Sequence, residues 1–211
     1  NASQKVAIKA NLVTFMKPDR AATTHPVILC ALVKMLKEKG AELYCFEHNV
    51  QEIISIINAY RYGLHNPYSS TSSQTLEAWD SLHYTVSDVD RYLSLLRSKI
   101  SNLGINIIER PLVTEVDTYP FLDTDLINCI DENMKYSNPE AIKTDVQSVA
   151  SIFLLRNGYK STEIEKSKYI FVTSNVHLTN VVNSFLVKKF FYICFNNSIF
   201  YFTVINHQII C

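Results

Sequence analysis

Four polar residues that could form one site lie in one helical pattern and at the end of the strand that follows it. Asp145 lies in the pattern TDVQSVASIFLLR, and the strand-like run KYIFVTSN ends in Thr173, Ser174 and Asn175. In a parallel α/β sheet, groups at the carboxyl ends of strands and groups on neighbouring helices meet at one crevice, where such folds bind ligands. The sequence therefore predicts that these four residues contribute to one site.

The composition is that of an ordinary globular chain without an overall charge signal. Of the 211 residues, 47% are hydrophobic and 19% are charged, which is typical of one domain with a sizeable core. Basic and acidic residues both number 20, so the formal net charge is zero and no overall basic surface for nucleic acid is expected. Only four glycines occur, and without a GxGxxG or Walker-type loop, nucleotide-dependent dehydrogenases and P-loop enzymes are disfavoured.

The cysteines and the two ends of the chain bear on its compartment. The five cysteines form no CxxC pair, which predicts reduced thiols and a cytoplasmic protein. The first ten residues contain no apolar run of signal-peptide length. Residues 190–211 are apolar, but polar residues interrupt them too often for a membrane-spanning helix, so two strands joined at Asn196 and Asn197 are predicted instead.

Strand-like and helical patterns alternate along the chain, which predicts an α/β protein with a three-layer α/β/α architecture and a largely parallel central sheet. The apolar run YIFVT favours a central strand that is covered on both faces. Asn49 and Ser87 are candidate N-caps of two helices, and Gly40 and Gly104 are candidate stops. We expect residues 1–189 to form the domain and residues 190–211 to form a β-like extension of the same unit.

Several ordered segments together resemble the PIN-domain family, the α/β fold of metal-dependent ribonucleases and toxin nucleases, and in particular its bacterial members. The segments are KVAIKANLVTF, LKEKGAELYCFEHNVQEIISII, AIKTDVQSVASIFLLRNG and KSKYIFVTSNVHLTNVVNSF, which cover most of residues 5–186. No single segment is highly specific, so the resemblance depends on their order and spacing.

The resemblance implies a metal-dependent site. In the family, acidic groups at the carboxyl edge of the sheet hold one or two Mg²⁺ or Mn²⁺ ions, which activate water at the scissile phosphate of RNA. Carried over by position, Glu52 and Asp145 would be metal ligands, and Asn175 would orient water or metal, so these three are the implied catalytic residues. Thr173 and Ser174 would be accessory residues.

The first strand departs from the family pattern. The family ends this strand with an aspartate in runs such as VFLDTN, whereas the best ungapped match here is VAIKAN, with Lys9 at the aspartate position and Asn11 at the asparagine. A protonated ammonium cannot ligate a cation. If the alignment holds, Lys9 would pair with Glu52 or Asp145 and compete with the metal.

Each candidate residue also has a purely structural interpretation. Glu52 could be the capping-box partner of Asn49, Asp145 could face solvent, and Thr173 and Asn175 could cap the next helix. Structural or surface roles are favoured for the remaining polar residues that attract attention, namely His48, His177, His207, the basic residues Arg156, Lys160, Lys166 and Lys168, and the acidic residues Asp117, Asp123, Asp125 and Asp131.

Three functional hypotheses follow from these patterns. The first is metal-assisted cleavage of single-stranded RNA, and the second is a catalytically degenerate binding or regulatory module of the same family. The third is an unrelated flavodoxin-like or other small-molecule α/β protein, because fold does not fix function. The aromatic C-terminal segment could additionally form a homodimer.

Overall fold

The fold was analysed in a computed structural model of the chain. The structure describes residues 4–9, 26–65, 79, 81–111, 121–134, 139–156, 167–173, 175–191 and 202–204. Predicted accessory residues Asn11 and Ser174 lie outside these ranges, as do His207, Lys160, Lys166 and Asp117.

Strands and helices follow one another in nearly the predicted order. The strands are β1 (Lys5–Lys9), β2 (Glu42–Phe46), β3 (Ile105–Ile108), β4 (Tyr169–Thr173) and β5 (Phe202–Val204). The helices are α1 (Pro26–Glu38), α2 (Glu47–His65), α3 (Val86–Asn102), α4 (Phe121–Met134), α5 (Pro139–Arg156) and α6 (Val176–Phe191).

The five strands form one parallel sheet in the order β3-β2-β1-β4-β5. The chain moves outward from β1 to β3 and then returns to place β4 on the other side of β1. Because parallel crossovers are right-handed, this reversal puts the early helices on one face and the late helices on the other. The predicted α/β class and three-layer arrangement are confirmed, and the strand order differs from the flavodoxin order.

Two hydrophobic cores cover the two faces of the sheet. One joins the sheet to α1, α2 and α3, for example through Leu32, Val50 and Leu96. The other joins it to α4, α5 and α6, where Val149 is fully buried. Side chains of β1 and β4 alternate between the cores, so the prediction of a central strand covered on both faces is confirmed for YIFVT.

The sequence predicted which segments are helices better than it predicted the residue at which each helix begins. α3 is capped by Thr85 rather than by Ser87: the Thr85 hydroxyl accepts from the Asp88 amide at 3.3 Å, and the Asp88 carboxylate accepts from the Thr85 amide at 2.9 Å. The predicted cap of α2 at Asn49 is also wrong, because β2 continues directly into α2 at Glu47. Asn49 is therefore inside the first helical turn.

Two bidentate ion pairs join α2 to α3. Arg61 binds both carboxylate oxygens of Asp90, at 2.6 and 2.9 Å. Arg97 binds both oxygens of Glu47, with Nη1 2.6 Å from Oε2. The planar guanidinium matches a carboxylate in this geometry, so the pairs fix the two helices against each other at both ends of their contact.

The predicted pair of strands joined at Asn196 and Asn197 falls mostly on residues outside the described ranges. α6 extends to Phe191, so the predicted boundary after residue 189 falls within a helix. Within the described ranges, β5 pairs with β4 in parallel. In the described part of the chain, no helix combines the length and apolar character needed to cross a membrane.

The cap of α3 can be tested by two matched substitutions. Thr85→Ala should lower the free energy of unfolding by about 1 kcal/mol, because it removes the acceptor for a first-turn amide. Ser87→Ala, two residues away on an exposed surface, should change it by less than about 0.5 kcal/mol. Urea denaturation of both variants measures the two changes. Equal losses of stability would show that Thr85 is not the cap.

Candidate functional site

The candidate site lies where the direction of the sheet reverses. β1 ends at Lys9 and β4 ends at Thr173, and these two residues are register partners on neighbouring parallel strands. Crossovers leave β1 and β4 towards opposite faces, so a crevice is expected beyond their carboxyl ends. Open α/β sheets bind their ligands at this position. Thr173 therefore lies at the carboxyl edge of the sheet, where the sequence predicted it.

A three-residue ion cluster occupies this position. The Lys9 ammonium contacts Asp145 Oδ1 and lies 3.2 Å from Glu52 Oε2. The exposed fractions of the three side chains are 12% for Lys9, 22% for Glu52 and 6% for Asp145, so the cluster is largely removed from water. We refer to these three residues as the Lys9 cluster.

Three different elements supply the Lys9 cluster. Ala7 packs in the core beneath α4, α5 and α6, and because side chains alternate along a strand, Lys9 is directed to the same face. Glu52 is in the second turn of α2, and Asp145 is in the second turn of α5. The predicted pairing of Lys9 is confirmed, and it involves both carboxylates at once.

The arrangement disfavours a divalent cation in the chain as it stands. The two carboxylates converge, as a shared metal would require, but the ammonium already lies within contact distance of both. A cation would have to displace a largely buried charge that would then lose its partners, which is costly. Among the described residues, no group of three or more His, Cys, Asp and Glu side chains is arranged to hold a metal.

Burial dominates the electrostatics of Glu52. Desolvation raises the pKa of the Glu52 carboxyl above its usual 4.5, the nearby Asp145 charge acts in the same direction, and Lys9 opposes both. One ammonium is thus shared by two carboxylates whose mutual repulsion it relieves.

The other predicted site residues have structural partners. The Asn175 side chain accepts a hydrogen bond from the Leu178 amide at 3.1 Å, which is the interaction of an N-cap at the start of α6. Thr173 is buried, and its hydroxyl accepts from the Asn175 amide at 3.2 Å. Both residues lie at the carboxyl edge beside the Lys9 cluster. Asn175 has the capping role that the sequence left open, whereas the Thr173 hydroxyl binds the amide of this cap residue.

A second polar layer, which the sequence did not predict, lies next to the Lys9 cluster. Ser148 of α5 is fully buried, and its hydroxyl donates to Asn49 Oδ1 at 3.0 Å and lies 2.9 Å from His48 Nε2. Ser148 is three residues after Asp145, and Asn49 is three residues before Glu52, so each pair shares one helix face. The three-residue spacing within each pair was the available signal in the sequence.

Several other polar residues have no role in the site. Burial raises the pKa of the Cys45 thiol to about 11, so this thiol is not a reactive nucleophile at neutral pH. Arg156 is buried and donates to the Tyr169 carbonyl, at the opposite end of β4 from Thr173. His177 lies 3.2 Å from the Asn133 carbonyl, and the acidic residues Asp125 and Asp131 lie on α4.

Comparison with known proteins corrects the family assignment made from the sequence. Residues 6–85 match the model of a domain of unknown function (DUF362), and the match is not to the PIN-domain family. The resemblance to PIN nucleases is therefore wrong as a family assignment. No curated protein and no solved structure matches the chain.

The DUF362 match covers less than half of the chain and only part of the candidate site. It includes β1 except for Lys5, together with α1, β2 and α2, and therefore Lys9 and Glu52. Asp145 and Thr173 lie beyond it. The Lys9 cluster joins this matched region to α5, which lies outside the matched residues.

Glu52 should make a pH-dependent contribution to stability. Because its pKa is raised in the fold, the folded protein holds this proton at a pH at which the unfolded chain has released it. The free energy of unfolding of the wild type should therefore fall relative to Glu52→Gln as the pH rises above 4.5 through the folded pKa. Urea denaturation of both proteins between pH 4 and pH 8 measures the difference, and parallel profiles would contradict the assignment.

Glu47→Gln provides a control of opposite sign in the same helix. Arg97 lowers the pKa of the Glu47 carboxyl to about 2, mainly through their direct hydrogen bonds. The ion pair therefore stabilises the fold above pH 4.5, and this contribution is lost as the pH falls towards 2. Relative to Glu47→Gln, the wild type should lose stability as the pH falls from 4.5 towards 2. Relative to Glu52→Gln, it should gain stability as the pH falls through the folded pKa of Glu52 towards 4.5.

Proposed function

We propose that this chain is a binding or regulatory module whose site, at the carboxyl ends of β1 and β4, works without a divalent metal. The observation that supports this most strongly is the contact of one ammonium with both convergent carboxylates. In this proposal, Lys9 performs the charge neutralisation that a metal would otherwise provide.

The topology supports a binding role for this edge of the sheet. Doubly wound parallel sheets bind ligands at the point where strand order reverses, because loops leaving two adjacent strands diverge there. Here that point lies between β1 and β4, and the Lys9 cluster is directly beside it. A ligand entering the crevice would meet the Lys9 cluster and the start of α6.

Metal-dependent RNA cleavage is the competing proposal. It would require Mg²⁺ or Mn²⁺ bound by Glu52 and Asp145, with Asn175 orienting water. The convergence of the two carboxylates favours it, but the position of the ammonium and the use of the Asn175 side chain as a helix cap oppose it. We therefore propose that neither metal binds here at millimolar concentration.

Removing Lys9 should create a metal site that the wild type lacks. Lys9→Ala leaves two largely buried carboxylates without their cation, and should lower the free energy of unfolding by roughly 3 to 5 kcal/mol. Mn²⁺ should then bind between the carboxylates and raise the melting temperature of this variant. At 100 times its dissociation constant, a ligand of the folded state contributes about 2.7 kcal/mol. Calorimetry and thermal melts with and without Mn²⁺ measure both effects.

The matched control is Lys9→Ala combined with Asp145→Asn, which removes one carboxylate and should abolish the Mn²⁺ response. Wild-type protein should show no stoichiometric binding of Mg²⁺ or Mn²⁺ in the same titrations. Clear one-to-one binding to the wild type would sink the metal-free proposal and favour the hydrolase.

RNA is proposed as a partner to be tested in the same way. A labelled single-stranded RNA incubated with wild-type protein and Mn²⁺ should remain intact, and its binding can be followed by fluorescence anisotropy with and without chelator. Cleavage that Asp145→Asn abolishes would support the metal-dependent nuclease instead.

A homodimer and a reducing compartment complete the proposal. β5 is an outer strand of the described sheet, and such an edge can pair with a second copy of itself. Sedimentation velocity over a range of concentrations tests whether the full chain dimerises. The free thiols of Cys30, which is exposed, and Cys45 support a cytoplasmic location.

A further inference from the structure

The contact between α2 and α5 contains two polar layers separated by one helical turn. In one layer, Ser148 hydrogen-bonds directly to Asn49, and in the other, Lys9 bridges Glu52 and Asp145. Residue numbers increase on α2 as they decrease on α5 between the layers, so the helices run in opposite directions here. Three residues correspond to about 4.5 Å along a helix, which places the layers next to each other.

Ser148 forms the centre of the layer next to the cluster. Its hydroxyl lies within hydrogen-bond distance of Asn49 Oδ1, His48 Nε2 and the Thr144 carbonyl, the last at 2.8 Å. A hydroxyl has one proton to donate, and the Asn49 and Thr144 oxygens can only accept it. We therefore assign the proton on His48 to Nε2, which donates to Ser148 Oγ.

The ring of His48 is held in place on its other side. It stacks on Phe46, with ring centroids 5.3 Å apart and planes inclined by 11°. Burial, as the largest cause, and the neighbouring positive charges lower the pKa of His48 to about 4, so the ring is neutral at pH 7. Phe46, the last residue of β2, thereby orients His48 towards α5.

The polar layer is maintained although it leaves a buried donor without a partner. Asn49 is 3% exposed, and its Nδ2 has no hydrogen-bond partner within the part of the chain that the structure describes. An apolar contact between the helices would avoid that cost, but it would not fix their register as directional hydrogen bonds do. Fixing the register is the property that the neighbouring Lys9 cluster requires.

From this geometry we infer that Ser148 is a positioning residue for the Lys9 cluster. Through Asn49 and His48 it holds the first turn of α2 against α5, and so sets the separation of the Glu52 and Asp145 carboxylates that one ammonium can span. This inference deepens the proposed function and rests on it, because it concerns how the metal-free site is kept assembled.

Ser151 offers a matched control on the same helix. Both serines are fully buried, and both hydroxyls lie within hydrogen-bond distance of the carbonyl four residues earlier, at 2.8 Å for Ser148 and 2.6 Å for Ser151. Ser148 differs in that its hydroxyl also bonds to Asn49 and His48 of α2. Comparing Ser148→Ala with Ser151→Ala therefore separates loss of a buried hydroxyl in α5 from loss of the bond between the helices.

The test observes the Lys9 ammonium directly in the full chain. In ¹⁵N-detected NMR spectra, ammonium protons held in ion pairs exchange slowly with water. Ser148→Ala should accelerate exchange at Lys9 by roughly tenfold, equivalent to about 1.4 kcal/mol. Ser151→Ala should leave this rate unchanged even if it lowers the melting temperature equally. Ser148→Cys, which fills the same space with a weaker donor, serves if Ser148→Ala does not fold.

The outcomes separate this inference from the proposed function. Slow exchange at wild-type Lys9 that Ser148→Ala and Ser148→Cys leave unchanged would overturn the positioning role while retaining the Lys9 cluster. Rapid exchange at wild-type Lys9, or acceleration of that exchange on adding the diamagnetic ion Mg²⁺, would overturn the metal-free site itself. Equal acceleration by the Ser148 and Ser151 variants would also contradict the inference, since it would indicate general loosening of α5.

Discussion

The organisation of the site depends on one ammonium group at the end of β1. Glu52 and Asp145 come from helices far apart in the sequence, and each would be costly to bury as a charge without a partner. Lys9 contacts both, and so joins the central strand to α2 and α5 at one position. A buried ion cluster of this kind is weak evidence for high stability, but loss of one member is expensive, which makes the geometry hard to change.

The same contacts limit the chemistry available between the ends of β1 and β4, where the strand order reverses. Two convergent carboxylates are a common beginning for a magnesium or manganese site, and without Lys9 they would suggest metal-assisted hydrolysis. With Lys9 between them, the local charge is already compensated. The layer of Ser148, Asn49 and His48 fixes the helices that present the carboxylates. The strand order favours ligand binding at this edge of the sheet, whereas the side chains disfavour a metal there.

The sequence predicted the parts of the structure that depend on local patterns. Alternating strands and helices gave the α/β class, and the continuous apolar run YIFVT gave a central strand buried on both faces. The ends of helices were harder, because Thr85 and Ser87 are both suitable caps, and because nothing local signals that β2 passes into α2 without a loop. Asp145 was recognised from its helix and the strand that follows it, and Glu52 through a resemblance to PIN nucleases that proved wrong as a family assignment, yet the structure does bring the two together. Ser148 was missed because its three-residue spacing from Asp145 becomes distinctive only when the partner helix is known.

A crystal of the wild-type protein soaked in millimolar Mn²⁺ tests the central claim most directly. Anomalous scattering identifies manganese, and a bound ion would lie about 2.2 Å from carboxylate oxygens, the range typical of small hard cations. The account predicts no anomalous peak between Glu52 and Asp145, with the Lys9 ammonium still in contact with both. A peak at that position with the Lys9 side chain displaced would contradict it.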